Sequence, residues 1–106
     1  MNDKFKKLLK DAIVVSVDLD GTLCEDQCWT SAQCLDATPK YNIIEMINKI
    51  GFEKYIVIFT SRRDELIPST LKWLRKHGVK FQAISNNKSA SDLYIDDKTL
   101  DVEELL

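Results

Sequence analysis

The feature that most constrains this chain is an apolar run that stops at two carboxylates. Residues Ala12 to Val17 are almost continuously apolar and rich in β-branched side chains, which is typical of a strand buried on both faces. Asp18 and Asp20 follow with one residue between them, and Gly21 then lets the backbone turn sharply. At a strand end both acids can converge on one small volume, although a polar strand end before a glycine turn would also explain the pair taken alone.

Length and composition indicate one ordinary globular unit. The 106 residues predict a single domain over 1–106, and 44% hydrophobic with 30% charged residues is a normal folded balance. The formal net charge of -2 predicts neither a nucleic-acid partner nor an anionic membrane. No apolar run approaches the roughly 20 residues of a spanning helix. The Lys-rich start also lacks the apolar core of a signal peptide, so we expect a soluble cytoplasmic protein.

The three cysteines do not form a recognisable metal or disulfide pattern. Cys24, Cys28 and Cys34 are an odd number, and in a cytoplasmic protein thiols stay reduced. Their spacings match no zinc motif, and the single histidine, His77, is far away in the sequence. We therefore expect small buried thiols beside the glycine turn.

Strand-like and helix-like segments alternate along the chain, which predicts a parallel sheet covered on both faces. The Lys-rich start reads as a short charged helix or arm, and the stretch from Leu23 to Ala37 has no clear period. The predicted elements are strands at Ala12–Asp18, Tyr55–Phe59, Val79–Ile84 and Leu93–Ile95, and helices from Thr38-Pro39 to Ile50, from near Pro68 to Gly78, and from Thr99 to Leu106.

Several polar residues fall where the predicted strands end. Asp18, Asp20, Thr60 and Asp96 follow three different strands, and Lys88 lies in the loop before the fourth. In parallel sheets of this kind ligands bind beyond the carboxyl ends of the strands. The sequence therefore predicts a functional site at this edge.

The same residues resemble the four motifs of the haloacid dehalogenase-like hydrolases, in order, from Ile13 to about Thr99. The first motif reads Asp-Leu-Asp-Gly-Thr-Leu from Asp18, and the others match Thr60, Lys88 and the pair Asp96-Asp97. The resemblance implies a three-layer α/β/α Rossmann-like fold with a central parallel sheet of strand order 3-2-1-4. The gaps between the motifs are too short for the cap domain of larger members, so no cap is expected.

The resemblance also implies an activity, namely hydrolysis of a phosphate monoester through an aspartyl-phosphate. Asp18 matches the nucleophile and Asp20 the general acid/base, while Thr60 and Lys88 match residues that bind the phosphate. An anionic nucleophile needs help to approach a phosphate, and Mg²⁺ supplies it with oxygen ligands. The implied metal ligands are Asp18, the backbone carbonyl of Asp20, and Asp96, with Asp97 binding either directly or through water.

The residues after Thr60 extend the predicted substrate site. Ser61 and Arg62 follow at once, and an arginine fork suits a second phosphate or a carboxylate, although a solvated helix start would explain Arg62 equally well. We expect a phosphorylated small molecule, either a sugar phosphate or a nucleotide. Without a cap the site is open to water unless a second subunit of a homo-oligomer covers it.

The competing class is a module that accepts or binds phosphate without hydrolysing a substrate. Receiver domains share the length, the parallel sheet, the acidic cluster, a Thr and a Lys. They carry their phosphorylated Asp at strand three, whereas strand three here ends Ala83-Ile84-Ser85. The order of the acids therefore favours the hydrolase.

Overall fold

The computed structural model describes residues 3–25, 27–86 and 91–96. None of the helices among them is long and apolar enough to cross a bilayer. In chain order the elements are α1 (Asp3–Asp11), β1 (Val14–Asp18), α2 (Ser31–Asp36), α3 (Tyr41–Ile50), β2 (Tyr55–Phe59), a 3-10 helix (Asp64–Leu66), α4 (Ile67–Lys76), β3 (Ala83–Ser85) and β4 (Leu93–Ile95).

The four strands form one parallel sheet in the order β3-β2-β1-β4. Val17 of β1 pairs with Ile58 of β2 on one side and with Ile95 of β4 on the other. Helices flank the sheet, so the α/β Rossmann-like fold and the strand order 3-2-1-4 are confirmed. No cap is evident over the sheet in the described part of the chain. The helix predicted at Thr99–Leu106 lies outside the described residues.

The core is built on the central strands. Val15, Val17, Ile56, Ile58 and Ile95 are fully buried. Both faces of β1 are covered, since even the intervening Ser16 is 2% exposed. A nearly continuous apolar run is what such a strand requires, which is why this strand could be recognised from sequence.

The predicted start of α3 is wrong by two residues. The helix begins at Tyr41 with Lys40 as its N-cap, and no side chain caps it. Thr38 and Pro39 instead extend the chain alongside the turn after β1, where the Thr38 carbonyl accepts from Glu25 N at 3.0 Å and Pro39 bridges to Cys24. Pairing with a distant segment therefore overrides a local capping signal.

The end of α4 follows the prediction, whereas β3 is shorter than predicted. Gly78 has a φ of 70°, and Val79 N donates to Leu74 O at 2.9 Å, which together close the helix in a Schellman motif. Val79 thus belongs to the helix stop rather than to a strand. The strand itself begins at Ala83. The preceding Gln82 makes two hydrogen bonds with Ile56: its N–H donates to Ile56 O, and its Oε1 accepts from Ile56 N.

Asp92 joins the start of β1 to the start of β4. Its Oδ2 accepts from Ile13 N at 2.9 Å and from Val14 N at 2.8 Å, and its own N–H donates to Val14 O. The hydrogen bonds from Val14 and then Ile13 lower the pKa of the Asp92 carboxyl. The ionised form is therefore the one that stabilises the fold.

We expect Asp92→Asn to lower the free energy of unfolding at neutral pH. Because the folded pKa lies below the unfolded value of about 3.9, the contribution is fully present above that pH and is lost as pH falls through the folded pKa. The difference between wild type and variant should thus shrink in acid. Urea unfolding at neutral and acidic pH measures it, with the exposed Glu45→Gln as control. A difference that stays constant with pH would contradict the assignment.

Candidate active site

Acidic side chains meet at the carboxyl edge of the sheet. Asp18 pairs in register with Phe59 at the end of β2, and Asp96 directly follows β4. Burial raises the pKa of the Tyr94 hydroxyl, and the charges of Asp18 and Asp96 raise it further, against a hydrogen bond from Ser16 that lowers it. Because β1 pairs with β4, Asp18 and Asp96 follow neighbouring strands, as the sequence predicts.

The turn after β1 brings Asp20 to the same edge. Leu19 N donates both to Asp18 Oδ1 at 3.0 Å and to Phe59 O at 3.1 Å, so the chain stays in contact with β2 one residue beyond the strand. Gly21 has a φ of 87°, a conformation that residues with a side chain rarely adopt. Its N–H donates to Cys24 O at 2.8 Å. The predicted sharp turn at Gly21 is thereby confirmed.

Asp18 and Asp20 open into one cleft of about 400 Å³. The cleft is partly enclosed by the loop after β2 and by the segment that follows the glycine turn. Its lining residues are Asp18, Asp20, Gln27, Cys28, Trp29, Ser61, Arg62, Arg63 and Leu66.

Arg62 forms a mostly buried ion pair with Asp20 across this cleft. Its Nη2 donates to Asp20 Oδ1 at 2.6 Å and its Nε to Oδ2 at 3.2 Å, while Nη1 donates to Thr70 Oγ1 at 2.9 Å. The Arg62 and Asp20 side chains are only 3% and 14% exposed. Burial alone would lower the pKa of Arg62, but the hydrogen bond and charge of Asp20 outweigh it, so that the pKa is raised.

This position differs from the one that the sequence suggested for Arg62. We expected a fork directed at a substrate group, or a solvated helix start. Three guanidinium nitrogens instead donate hydrogen bonds to Asp20 and Thr70. The group is therefore neither solvated nor available to bind a second phosphate. The bond to Asp20 spans 42 residues, so no local pattern could have indicated it.

Thr60 and Ser61 take different positions although they are adjacent. Thr60 is 1% exposed, and its Oγ1 accepts from Arg62 N at 3.1 Å, which fixes the start of the loop. Ser61 is exposed and lines the cleft. Lys88 and Asp97, the other two motif residues predicted for this site, lie outside the described residues.

All three cysteines are buried as expected and none is in a disulfide, and Cys24 lies at the glycine turn. Cys24 Sγ is 3.6 Å from Asp20 Oδ1 and 3.8 Å from Arg62 Nη2. Burial, and after it the Asp20 charge, raises the pKa of Cys24 to about 12. Burial likewise raises the pKa of Cys28 to about 11. Both thus remain protonated thiols at neutral pH and are unsuited to nucleophilic chemistry.

Two contacts near the site have no counterpart in the sequence predictions. Lys40 Nζ donates to Gly21 O at 2.9 Å and so stabilises the turn. The helix α2, in the stretch without clear period, begins with a capping box in which Thr30 and Gln33 bond each other's backbone. The Thr-x-x-Gln spacing is a known helix-start signal and could have revealed α2.

A larger cavity, of about 780 Å³, lies near the amino ends of the strands, opposite the cleft, and is more open to solvent than the cleft. Its lining comes from the ends of α1 and α3 and from residues before β2 and β3, including Lys10, Lys49, Lys54 and Lys80. It contains no pair of acids and lies away from the strand ends where ligands bind in such sheets. We therefore place the candidate site in the smaller cleft.

Comparison with known proteins supports the fold. No protein-family model matches this sequence, and no curated protein matches it. A chain in the structure of the Pnkp1/Rnl/Hen1 RNA repair complex superposes with a TM-score of 0.61 at 15% identity, over 76% of this chain and 28% of that one. A chain of a second Pnkp1/Rnl/Hen1 complex gives 0.56 at 16% identity, over 74% and 30%. This chain thus spans less than a third of either neighbour, and at such identity the likeness shows the fold alone.

Removing Arg62 should leave a mostly buried carboxylate without its cation. We expect Arg62→Met to lower the free energy of unfolding by about 3 kcal/mol, the usual scale for breaking a buried pair from one side. The matched control is Arg63→Met, since the Arg63 side chain is 73% exposed and should change stability by no more than about 0.5 kcal/mol. Urea unfolding measures both.

A double variant separates charge from packing. Adding Asp20→Asn to Arg62→Met removes the uncompensated charge, so the double variant should be more stable than the sum of the single effects predicts. Equal losses in the Arg62 and Arg63 variants, or strict additivity in the double variant, would show that the pair does not hold the site together.

Proposed function

We propose that this chain is a magnesium-dependent phosphatase of the haloacid dehalogenase type, which hydrolyses a small-molecule phosphate monoester through an aspartyl-phosphate on Asp18. The observation that supports it most is the shared cleft of Asp18 and Asp20, with Asp96 at the same edge beside Tyr94. Phosphoryl transfer needs a nucleophile and a proton donor within reach of one phosphorus atom, and two acids that line one cleft are suited to these roles.

In the first step of the proposed reaction, a carboxylate oxygen of Asp18 attacks phosphorus. The bond between phosphorus and the leaving oxygen breaks, its electron pair stays on that oxygen, and the oxygen takes a proton from Asp20. In the second step Asp20, now a carboxylate, removes a proton from water. The water oxygen attacks phosphorus, the bond to Asp18 breaks, and inorganic phosphate leaves with both acids restored.

Arg62 binds the two oxygens of Asp20 through unequal hydrogen bonds. Oδ1 receives the short bond from Nη2, whereas the 3.2 Å bond to Oδ2 lies at the long limit for a hydrogen bond. A carboxylate oxygen can accept more than one hydrogen bond, so Oδ2 retains the greater capacity to bond to substrate or water. Arg62 would then orient Asp20 through Oδ1 while Oδ2 faces the reacting groups.

The donor set suits magnesium. The described residues contain no group of three or more His, Cys, Asp or Glu side chains that could hold a metal ion, so side chains alone do not form the site. Asp18 and Asp96 with the Asp20 carbonyl leave the remaining positions to phosphate and water, which is how magnesium is usually bound. Asp97 is a further proposed ligand. When bound, the ion would neutralise charge on the phosphoryl oxygens and allow the anionic Asp18 to approach.

Several other proposals remain from the sequence. Thr60, Ser61 and Lys88 would contact the phosphate, and the protein would act as a cytoplasmic enzyme whose open site is either exposed or covered by a second subunit. The two structural neighbours belong to an RNA repair complex, but the net charge of -2 offers little attraction to a polyanion. We therefore propose a small-molecule substrate.

Chelation should abolish phosphate release. Excess chelator removes the ion that lets Asp18 meet a phosphate dianion, and added magnesium should restore the activity. The measurement is phosphate released from a panel of phosphate monoesters, with and without magnesium. Release that continues undiminished in excess chelator would rule out the proposed metal dependence, and stoichiometric phosphorylation without turnover would favour the receiver-like alternative.

The two acids should fail differently when changed. Asp18→Asn lacks the nucleophile and should lose turnover and form no covalent phosphate. Asp20→Asn should still accept phosphate on Asp18 from an aryl ester, because that leaving group needs little protonation, but should lose alkyl ester activity by about 10²–10⁴-fold. Acid-quenched trapping of phosphoenzyme distinguishes them. Covalent phosphate on Asp18→Asn, or equal losses on aryl and alkyl esters for Asp20→Asn, would reverse or refute the assignment.

A further inference from the structure

Trp29 is an exposed tryptophan held firmly in the wall of the cleft. It lines the cleft together with the two acids, and 69% of its surface is exposed. Its backbone N–H donates to Gln33 Oε1 at 2.8 Å, and the neighbouring Cys28 is 5% exposed, with Sγ 3.5 Å from Gln33 O. The capping box of α2 and a buried thiol therefore fix the backbone on both sides of this residue.

Exposure alone would carry no conclusion. Phe52 is 89% exposed and Ile13 72% exposed, and single exposed apolar side chains are normal on protein surfaces. Phe52 lies at the opposite edge of the sheet, by the larger cavity. Trp29 differs because it lines the cleft that contains Asp18 and Asp20.

Trp29 supplies an exposed aromatic surface in a cleft whose other lining residues are mostly polar or charged. Cys28 and Leu66, each 5% exposed, continue the apolar wall. Gln27 is exposed and offers both a donor and an acceptor. An exposed tryptophan next to such polar groups suits a flat aromatic ring with a polar edge.

Arg63 adds a cation to the lining of the cleft. Arg62 is engaged with Asp20, but Arg63 is 73% exposed, lines the cleft, and pairs through Nε with the exposed Glu65 at 3.2 Å. Exposed ion pairs are weak and are readily exchanged for another anion. Arg63 can therefore contribute to attracting an anionic substrate or stack on a planar ring.

We propose that the phosphate ester has a leaving group with a planar aromatic ring that stacks on Trp29, and that its natural class is the nucleoside monophosphates. This inference rests on the proposed function, since it names the substrate of the same cleft. The cleft volume of about 400 Å³ falls within the range of small-molecule sites, and the acidic chain disfavours a longer polyanion. The phosphate lies at Asp18, the base lies on Trp29, and Gln27 reads the polar edge of the base.

Binding is the primary test, because it does not depend on turnover. Asp18→Asn protein with magnesium is titrated calorimetrically with adenosine and uridine monophosphates and with glycerol phosphate, which has no ring. Adding Trp29→Ala should weaken nucleotide binding by about tenfold or more, as expected for the loss of one stacked base, and Trp29→Phe should retain most of the affinity. Phe52→Ala, an exposed aromatic at the far edge, is the matched control and should bind as the parent does.

The outcomes separate this inference from the proposed function. A loss in Trp29→Ala that is equal for nucleotides and glycerol phosphate overturns the inference, as does tighter binding of ring-free sugar phosphates or of a phosphorylated oligonucleotide. A wild-type protein that hydrolyses many esters without preferring nucleotides leaves the phosphatase proposal standing and removes this one. Nucleotide binding that depends on Trp29, with no phosphate release from the wild type, does the reverse.

Discussion

The ion pair between Arg62 and Asp20 connects the parts of this molecule on which the candidate site depends. It links the loop after β1 to the loop after β2, and through Thr70 it also reaches α4, whose Thr70 hydroxyl donates in turn to Leu66 O. Taking two charges out of water costs several kcal/mol each, and a buried pair repays this only when its remaining donors are satisfied. Hydrogen bonds from Nε, Nη1 and Nη2 of Arg62 satisfy these donors, so the pair can hold Asp20 in one orientation.

The sequence predicted the parts of the fold that depend on local patterns. The apolar strands ending at Asp18 and Phe59 could be recognised because a doubly covered parallel strand needs a continuous apolar run. The sharp turn at Gly21 and the helix stop at Gly78 were predictable because both need a φ that favours glycine. Once the strands were known, the edge at which the acids meet followed from the topology of parallel sheets.

The predictions that failed required contacts between distant residues. The capping role expected for Thr38 was lost to pairing with the turn after β1, and Val79 was drawn into the end of α4. The partner of Arg62 is likewise set by packing rather than by neighbours in the sequence. The exposure of Trp29 depends on how α2 is placed, which no periodicity in that stretch reveals. Lys88 and Asp97 remain predictions of the motif alone.

The two edges of the sheet differ in what their charges do. At the edge with the larger cavity, Lys10 and Lys49 stand in the last turns of α1 and α3, where cations offset the partial negative charge of a helix C-terminus. Lys54 donates to the carbonyls of Lys10 and Ala12, so this lysine too serves a helix end. These three lysines therefore have a structural role that requires no ligand.

At the carboxyl edge the balance is different. Arg62 neutralises Asp20 within the protein, and Asp18 with Asp96 adds acidic groups around a single tyrosine hydroxyl. Carboxylates close together disfavour each other's ionised form, and a cation beside them relieves that repulsion. Arg62 does this for Asp20 within the protein. Because Asp18 and Asp20 line the same small cleft, that cleft is where we place the proposed chemistry.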